Sequence, residues 1–131
     1  MKNSSTTLGV IVGNRDFFPD QLVSEARSDL SALFDKYNIR PVWVSPEQTK
    51  LGGVETHAEA RKCAELFRQH RDEIDGVLVV LPNFGDEKGV AGVLKLANLD
   101  VPVLVQAYPD ELEKTRCRPP SRCVLWQNFR V

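Results

Sequence analysis

Side chains suited to a small hydroxylated ligand cluster in three short segments. Gly13-Asn14-Arg15-Asp16-Phe17-Phe18-Pro19 sets a carboxamide, a guanidinium and a carboxylate beside two aromatic rings. Pro82-Asn83-Phe84-Gly85-Asp86 and Gln106-Ala107-Tyr108-Pro109-Asp110 repeat the mixture. Amide, guanidinium and carboxylate groups hydrogen-bond hydroxyls, and ring faces cover apolar C–H surface. Asn14, Arg15, Asp16, Phe17, Asn83, Phe84, Asp86, Gln106 and Tyr108 are therefore the candidate substrate-binding residues. The same types also serve plainer ends. Asn and Asp make turns and helix caps, Arg15 can be a solvated or ion-paired cation, and Phe17, Phe18 and Phe84 can plug the end of a sheet. Both readings stand.

The common catalytic signatures are missing. There is no G-x-G-x-x-G and no G-x-x-x-x-G-K-[ST], so nucleotide phosphates have no cradle. Leu81-Pro82 stands where a phospho-receiver would carry an Asp, and the Gly13–Pro19 turn lacks the Ser/Thr/Gly pattern that suits a flavin phosphate. His57 and His70 lie at opposite ends of one helix without a spaced set of carboxylates or thiolates, and read as surface histidines. Cys63 falls on an apolar helix face and reads as core. Glu59, Glu65, Arg61 and Arg68 form a solvated face with helical ion pairs. No catalytic residue and no metal ligand is assigned to this chain.

The elements that must position these segments alternate regularly. Thr7–Gly13 (TLGVIVG) is a short apolar, β-branched run that suits a strand buried on both faces. Pro19 is placed to open a helix, along which Leu22, Ala26, Leu30, Leu33 and Phe34 form one stripe through Tyr37. Arg40–Val44 is a second strand, and Ser45–Glu55, with Pro46, Gly52 and Gly53, a loop. Thr56 followed by Glu59 matches a capping box. The helix behind it carries Ala60, Cys63, Ala64 and Phe67 inward and ends near Asp72. Gly76–Leu81 is the third strand. Asp86 caps a third helix with Val90, Val93, Leu94 and Ala97 inward, and Val101–Gln106 is the fourth strand, with Pro102 at its start.

Such alternation predicts an α/β, flavodoxin-like three-layer sandwich with a parallel sheet of about four strands in the order 2-1-3-4. A fifth strand usually completes that pattern, and none is evident, so the sheet reads as incomplete and its fourth strand as an open edge. That predicts marginal stability and self-association. In such sheets ligands bind beyond the carboxyl ends of the strands, at the switch point between strands one and three, where the polar segments fall.

The 131 residues, 42% hydrophobic and 27% charged, suit one domain with a real core. A net charge of −1 gives no electrostatic reason to expect nucleic acid or an anionic membrane as partner. Three cysteines, an odd number and without a secretory leader, argue against a disulfide framework and for a cytoplasmic setting. No apolar run approaches the ~20 residues that span a bilayer.

Several loop motifs, in order and spacing, carry a resemblance. V-G-N-R-D-F-F-P (Val12 to Pro19), T-K-L-G-G-V-E-T (Thr49 to Thr56), L-P-N-F-G-D-E (Leu81 to Glu87) and V-P-V-L-V-Q-A-Y-P-D-E (Val101 to Glu111) resemble the N-terminal domain of L-fucose/L-arabinose isomerase-type proteins. The resemblance spans about residues 7–114. It implies a multidomain, oligomeric aldose–ketose isomerase of carbohydrate metabolism that uses a metal, usually Mn²⁺. It also implies that the acid, the base and the metal ligands come from later domains. The N-terminal domain then forms a wall of the sugar site, often over a neighbouring subunit's pocket. No catalytic residue carries over to this chain.

Residues 115–131 do not fit. Thr115–Cys123 is basic and Pro-rich, where the resemblance predicts a run like R-R-D-A-F-C-G-K-I-S-V. Permissible codons for Arg122 to Val131 (CGA TGC GTT CTG TGG CAA AAT TTC CGT G) read one base later as D-A-F-C-G-K-I-S-V. The expectation is a frameshift near Lys114, an unnatural or irregular tail, and a fragment inactive on its own. The competing readings are a stand-alone flavodoxin-like module that binds a small polar ligand or regulates, and a pure interaction domain.

Overall fold

Strand and helix alternate along the chain because apolar runs rich in Val and Ile are separated by segments with apolar residues at helical spacing. The computed structural model describes residues 5–83 and 85–108 and the backbone of 125–129. Strands β1 (Thr6–Val12), β2 (Ile39–Val42), β3 (Gly76–Leu81) and β4 (Val103–Ala107) are joined by helices α1 (Gln21–Tyr37), α2 (His57–Gln69) and α3 (Glu87–Ala97). These four strands are parallel, in the order 2-1-3-4. The α/β class and the strand order are those expected.

Alternate side chains of each strand feed two cores, as the period of two requires. Val10, Val12, Leu78 and Val80 pack against Val23, Ala26, Leu30 and Phe34 of α1. On the other face, Ile11, Val77 and Val79 pack against Ala60, Cys63, Ala64 and Phe67 of α2 and Val93 and Ala97 of α3. The result is three layers, helix, sheet and helices. Phe67 is fully buried, and its ring closes over Gly9, where an added Cβ would lie 3.0 Å from Cζ.

Two expectations need correction. Leu33 is 46% exposed, and the buried stripe of α1 begins at Val23 instead of Leu22. Val23, Ala26, Leu30 and Phe34 follow steps of three, four and four along one face, and Leu33 sits about 100° round the helix from Phe34. The edge of β4 is not open either. Leu125–Phe129 forms β5, antiparallel to β4, with Val103 opposite Phe129 and Ala107 opposite Leu125. The L-W-Q-N-F run carries aromatic residues that favour strands, a signal that the basic, Pro-rich stretch before it obscured. An antiparallel edge on an otherwise parallel sheet is a common way to end one.

The helix caps follow local chemistry. Thr56 and Glu59 form the predicted capping box, and Asp86 accepts from the amides of Lys88 and Gly89 at the start of α3. Asp20 stands at the N-cap of α1 without a side-chain cap bond, because its carboxylate turns to Lys50 and Asn14. Asn38 and Asn98 end α1 and α3 in the left-handed conformation that Asn tolerates. None of the described helices is long and apolar enough to cross a membrane.

Candidate functional site

At the carboxyl ends of β1 and β3 the chain is knitted together across three loops. Beyond β1, Gly13 pairs with Val54 as an isolated parallel bridge. The Val54 amide donates to the Val12 carbonyl at 2.8 Å, and the Asn14 amide to the Val54 carbonyl at 3.1 Å. This brings the end of the 45–56 loop alongside the β1–α1 turn. Gly13 lies close beneath Leu81, and a Cβ there would fall 2.9 Å from Leu81 Cδ2, so that the leucine side chain would have to shift.

Asn14 is 1% exposed, and its side chain is fully engaged. Its Oδ1 accepts from Asn83 Nδ2 at 2.8 Å, and its Nδ2 donates to Glu55 Oε2 at 3.1 Å and Asp20 Oδ1 at 3.3 Å. Asn83 Oδ1 in turn accepts from the Gly85 amide at 3.0 Å. Asp20 is also paired with Lys50 Nζ at 3.1 Å. The hydrogen bond from Lys50, with a second from Asn14, holds the Asp20 carboxyl below the usual range. Asp20 likewise raises the Lys50 ammonium.

Above this network lies an open cleft of about 550 Å³, lined by Asp16, Glu55, Thr56, His57, Asp86, Lys88 and Gly89. Burial pushes the Glu55 carboxyl up, and the adjacent Asp16 pushes the same way, against Lys50 and Asn14. Glu55 is held from below by Glu59, whose carboxylate accepts the amides of Glu55 and Thr56, both at 2.9 Å, and of Lys50 at 3.2 Å. With Asp16, Glu55 and Asp86 against Lys88, the cleft wall is acidic. Such a wall accepts hydrogen bonds from hydroxyl donors and disfavours anions.

Of the residues picked out from sequence, Asp16 and Asp86 line the cleft, and the buried Asn14 and half-buried Asn83 form its support. Arg15 is exposed and stacks 5.2 Å from the Phe17 ring, which is itself 76% exposed and 5.1 Å from Phe18. Gln106 and Tyr108 are not brought to the cleft. Tyr108 packs on the α1 side of the sheet, and Gln106 shares that side by strand alternation. Phe84, Pro109, Asp110 and residues 115–124 lie outside the described residues. Sequence reasoning missed Glu55, Lys50 and Asp20. The signal was faint: Glu55 directly precedes the Thr56 capping box, at the point where the loop returns to the sheet.

The family model of the fucose/sulfoquinovose isomerase N-terminal domain matches residues 9–120. The chain belongs to this family. Comparison with the curated proteins and with the solved structures gives no match. The match runs six residues past Lys114, where the loop motifs give out, and takes in all three cleft-forming loops.

A fucose-isomerase-type domain raises the question of a metal. Among the described residues, no group of three His, Cys, Asp or Glu side chains is placed to hold one. Asp86 caps α3, Glu59 binds three amides, and Asp20 is paired with Lys50. His70 contacts Glu73 at the far end of α2, at 3.1 Å. These residues do not fit a metal centre, and no step through a metal is derived from this domain. A second depression of about 500 Å³ runs along α2, lined by Gln48, Arg61, Lys62 and Arg68 among others, and shares no lining residue with the cleft.

Proposed function

We propose that this chain is the N-terminal substrate-site domain of a ketol isomerase, which interconverts an aldose and a ketose in carbohydrate metabolism. The observation that carries the reading is the family match over residues 9–120. Position supports it further, because the cleft sits at the switch point between β1 and β3, where open parallel sheets take their ligands. In this reading the cleft forms one wall of the sugar site. Asp16 and Asp86 contact hydroxyls directly, Arg15 and Phe17 flank Asp16, and Asn14 and Asn83 hold the wall in shape. Gln106 and Tyr108 reach substrate only from the α1 side of β4. Proton transfer between the sugar carbons falls to groups outside this domain, as does any Mn²⁺ centre, and the domain works within a homo-oligomer in the cytoplasm.

Wall residues contribute by orienting a flexible open-chain sugar, and orientation is worth several kcal/mol of a barrier. They do not by themselves move the proton, so the 131-residue chain alone is expected to bind sugar weakly and not to turn it over. The test is an amide ¹⁵N NMR titration of the chain with fucose. Shifts at Asp16, Glu55 and Gly89 that saturate in the millimolar range are expected. Unmoved cleft amides throughout the titration would refute the reading.

A further inference from the structure

Asn14 has the composition of a ligand contact and the environment of a buried strut. Its orientation is dictated by its neighbours. Asn83 must present a donor to it, because the Asn83 oxygen is already held by the Gly85 amide at 3.0 Å. The Asn14 oxygen therefore faces Asn83 at 2.8 Å, and its NH₂ group faces Glu55 and Asp20. Two carboxylates on one side and one donor on the other leave a single satisfactory setting for this carboxamide.

Glu55 receives the benefit. Its backbone amide is held by Glu59 at 2.9 Å, and one carboxylate oxygen by Asn14 at 3.1 Å, while the residue lines the open cleft. The charged and titratable groups around it are Asp16 and Asp20 from the β1–α1 turn and Lys50 from the preceding loop. His57 and Glu59 belong to α2, and Asp86 and Lys88 to the α3 end. We propose that Glu55 is the cleft's acceptor for a sugar hydroxyl and that Asn14 is the positioning residue that aims it, an assignment that rests on the sugar-wall reading of the cleft. A carboxylate has about four lone-pair sites, so one bond from Asn14 leaves capacity for hydroxyl donors. Protonation would trade that acceptor for a donor. Burial and Asp16 favour the protonated form, whereas Asn14 and Lys50 favour the charged one. The ligand class is a neutral, hydroxyl-rich sugar, since an anionic group would meet Asp16, Glu55 and Asp86 together.

The experiment is carboxyl ¹³C and amide ¹⁵N NMR on the full 131-residue chain, with fucose as probe. Fucose is expected to shift the Glu55 carboxyl, and its affinity to fall about tenfold in Glu55→Gln, the worth of one charge-assisted hydrogen bond. Affinity in the unaltered chain should also weaken as pH drops through the Glu55 titration midpoint. Asn14→Asp, which turns a donor into an acceptor, should raise that midpoint by about one pH unit. Equal fucose affinity in Glu55→Gln, together with no dependence on the Glu55 midpoint, overturns the assignment and leaves the sugar-wall reading intact. No response of any cleft amide to fucose overturns that reading and the assignment with it. Should Asn14→Asp fail to fold, the Asn14 carboxamide ¹⁵N signal of the unaltered chain decides. It must titrate with the Glu55 carboxyl, and a flat signal overturns the positioning role.

Discussion

Asn83 and Asn14, 69 residues apart in sequence, meet carboxamide to carboxamide at 2.8 Å. The bond joins the loop after β3 to the turn after β1, and through Glu55 to the loop before α2. Removing a partner from a buried network leaves the others unsatisfied at about 1–3 kcal/mol each. Asn14→Leu, at the 1% exposed centre, is therefore expected to cost about 2–3 kcal/mol. Asn83→Ala, at a half-buried position, should cost less because water can replace it. Urea denaturation of both variants gives the comparison, and equal costs would contradict the central place of Asn14.

The loop that delivers Glu55 is clamped at a second point. The Arg27 guanidinium lies 4.0 Å above the Trp43 ring and donates to the Gly52 carbonyl at 3.0 Å. Gly52 has φ +69°, and a Cβ there would fall 2.6 Å from the guanidinium. Gly52→Ala is expected to destabilise by about 1–2 kcal/mol from backbone conformation alone, plus whatever the Arg27 displacement adds. Arg27→Ala removes both the stack and the bond to the Gly52 carbonyl, and should change Trp43 emission while leaving the sheet intact. Near-unchanged Trp43 fluorescence in Arg27→Ala would argue against the clamp.

Between sheet and helix, the Phe67 ring of α2 packs directly over Gly9 of β1. Phe67→Ala is expected to cost about 3–5 kcal/mol, a large share of the roughly 5–15 kcal/mol that keeps a domain folded. Gly9→Ala overpacks the same contact at about 1–3 kcal/mol. Since one side chain obstructs the other, combining Gly9→Ala with Phe67→Leu should cost less than the sum of the single changes. Additive thermal shifts would mean that the ring has room to move aside.

Much of this architecture was legible locally. Gly76–Leu81 is a strand as read, because an apolar β-branched run between polar turns leaves few alternatives. Thr56, Glu59 and Asp86 cap their helices as read, because capping needs only residues within three positions. The site was half legible. Asp16 and Asp86 stand in loops that topology alone sends to the strand ends, whereas Glu55 reaches them only through the Gly13–Val54 bridge. Nothing near Glu55 in sequence encodes that pairing. Asn14 shows the opposite limit: its type suits a ligand, while its burial and its bonds to Asn83, Glu55 and Asp20 are visible only in the fold.

Cys63 offers a probe that reads burial directly. It is fully enclosed between α2 and the sheet, and burial pushes its thiol up to about 12. Thiolate is the reactive form, so at pH 8 the native protein should leave Cys63 unlabelled by iodoacetamide. Site-resolved mass spectrometry is expected to find modification at Cys63 only when denaturant unfolds the domain. Prompt native-state labelling would mean that α2 opens locally far more easily than its packing suggests.

Acid dependence should divide between two carboxyls of opposite sense. Asp20 is held below its ordinary range by Lys50 and Asn14, so its stabilisation is full above the unfolded value and lost as pH falls through the folded one. Glu55 is raised by burial and Asp16, so the folded state binds its proton more tightly than the unfolded chain does. That favourable contribution is complete below the ordinary Glu range and lost as pH rises through the raised value. Glu55→Gln keeps an oxygen for Asn14 and gains a donor for Asp16. It is expected to raise the melting temperature at neutral pH relative to the unaltered chain, with the gain shrinking toward the acid side of the Glu range. Asp20→Asn should lower the melting temperature at neutral pH and converge with the unaltered chain in acid. Thermal melts of both variants across this range decide the matter, and parallel curves at all pH values would show that neither charge is coupled to the fold.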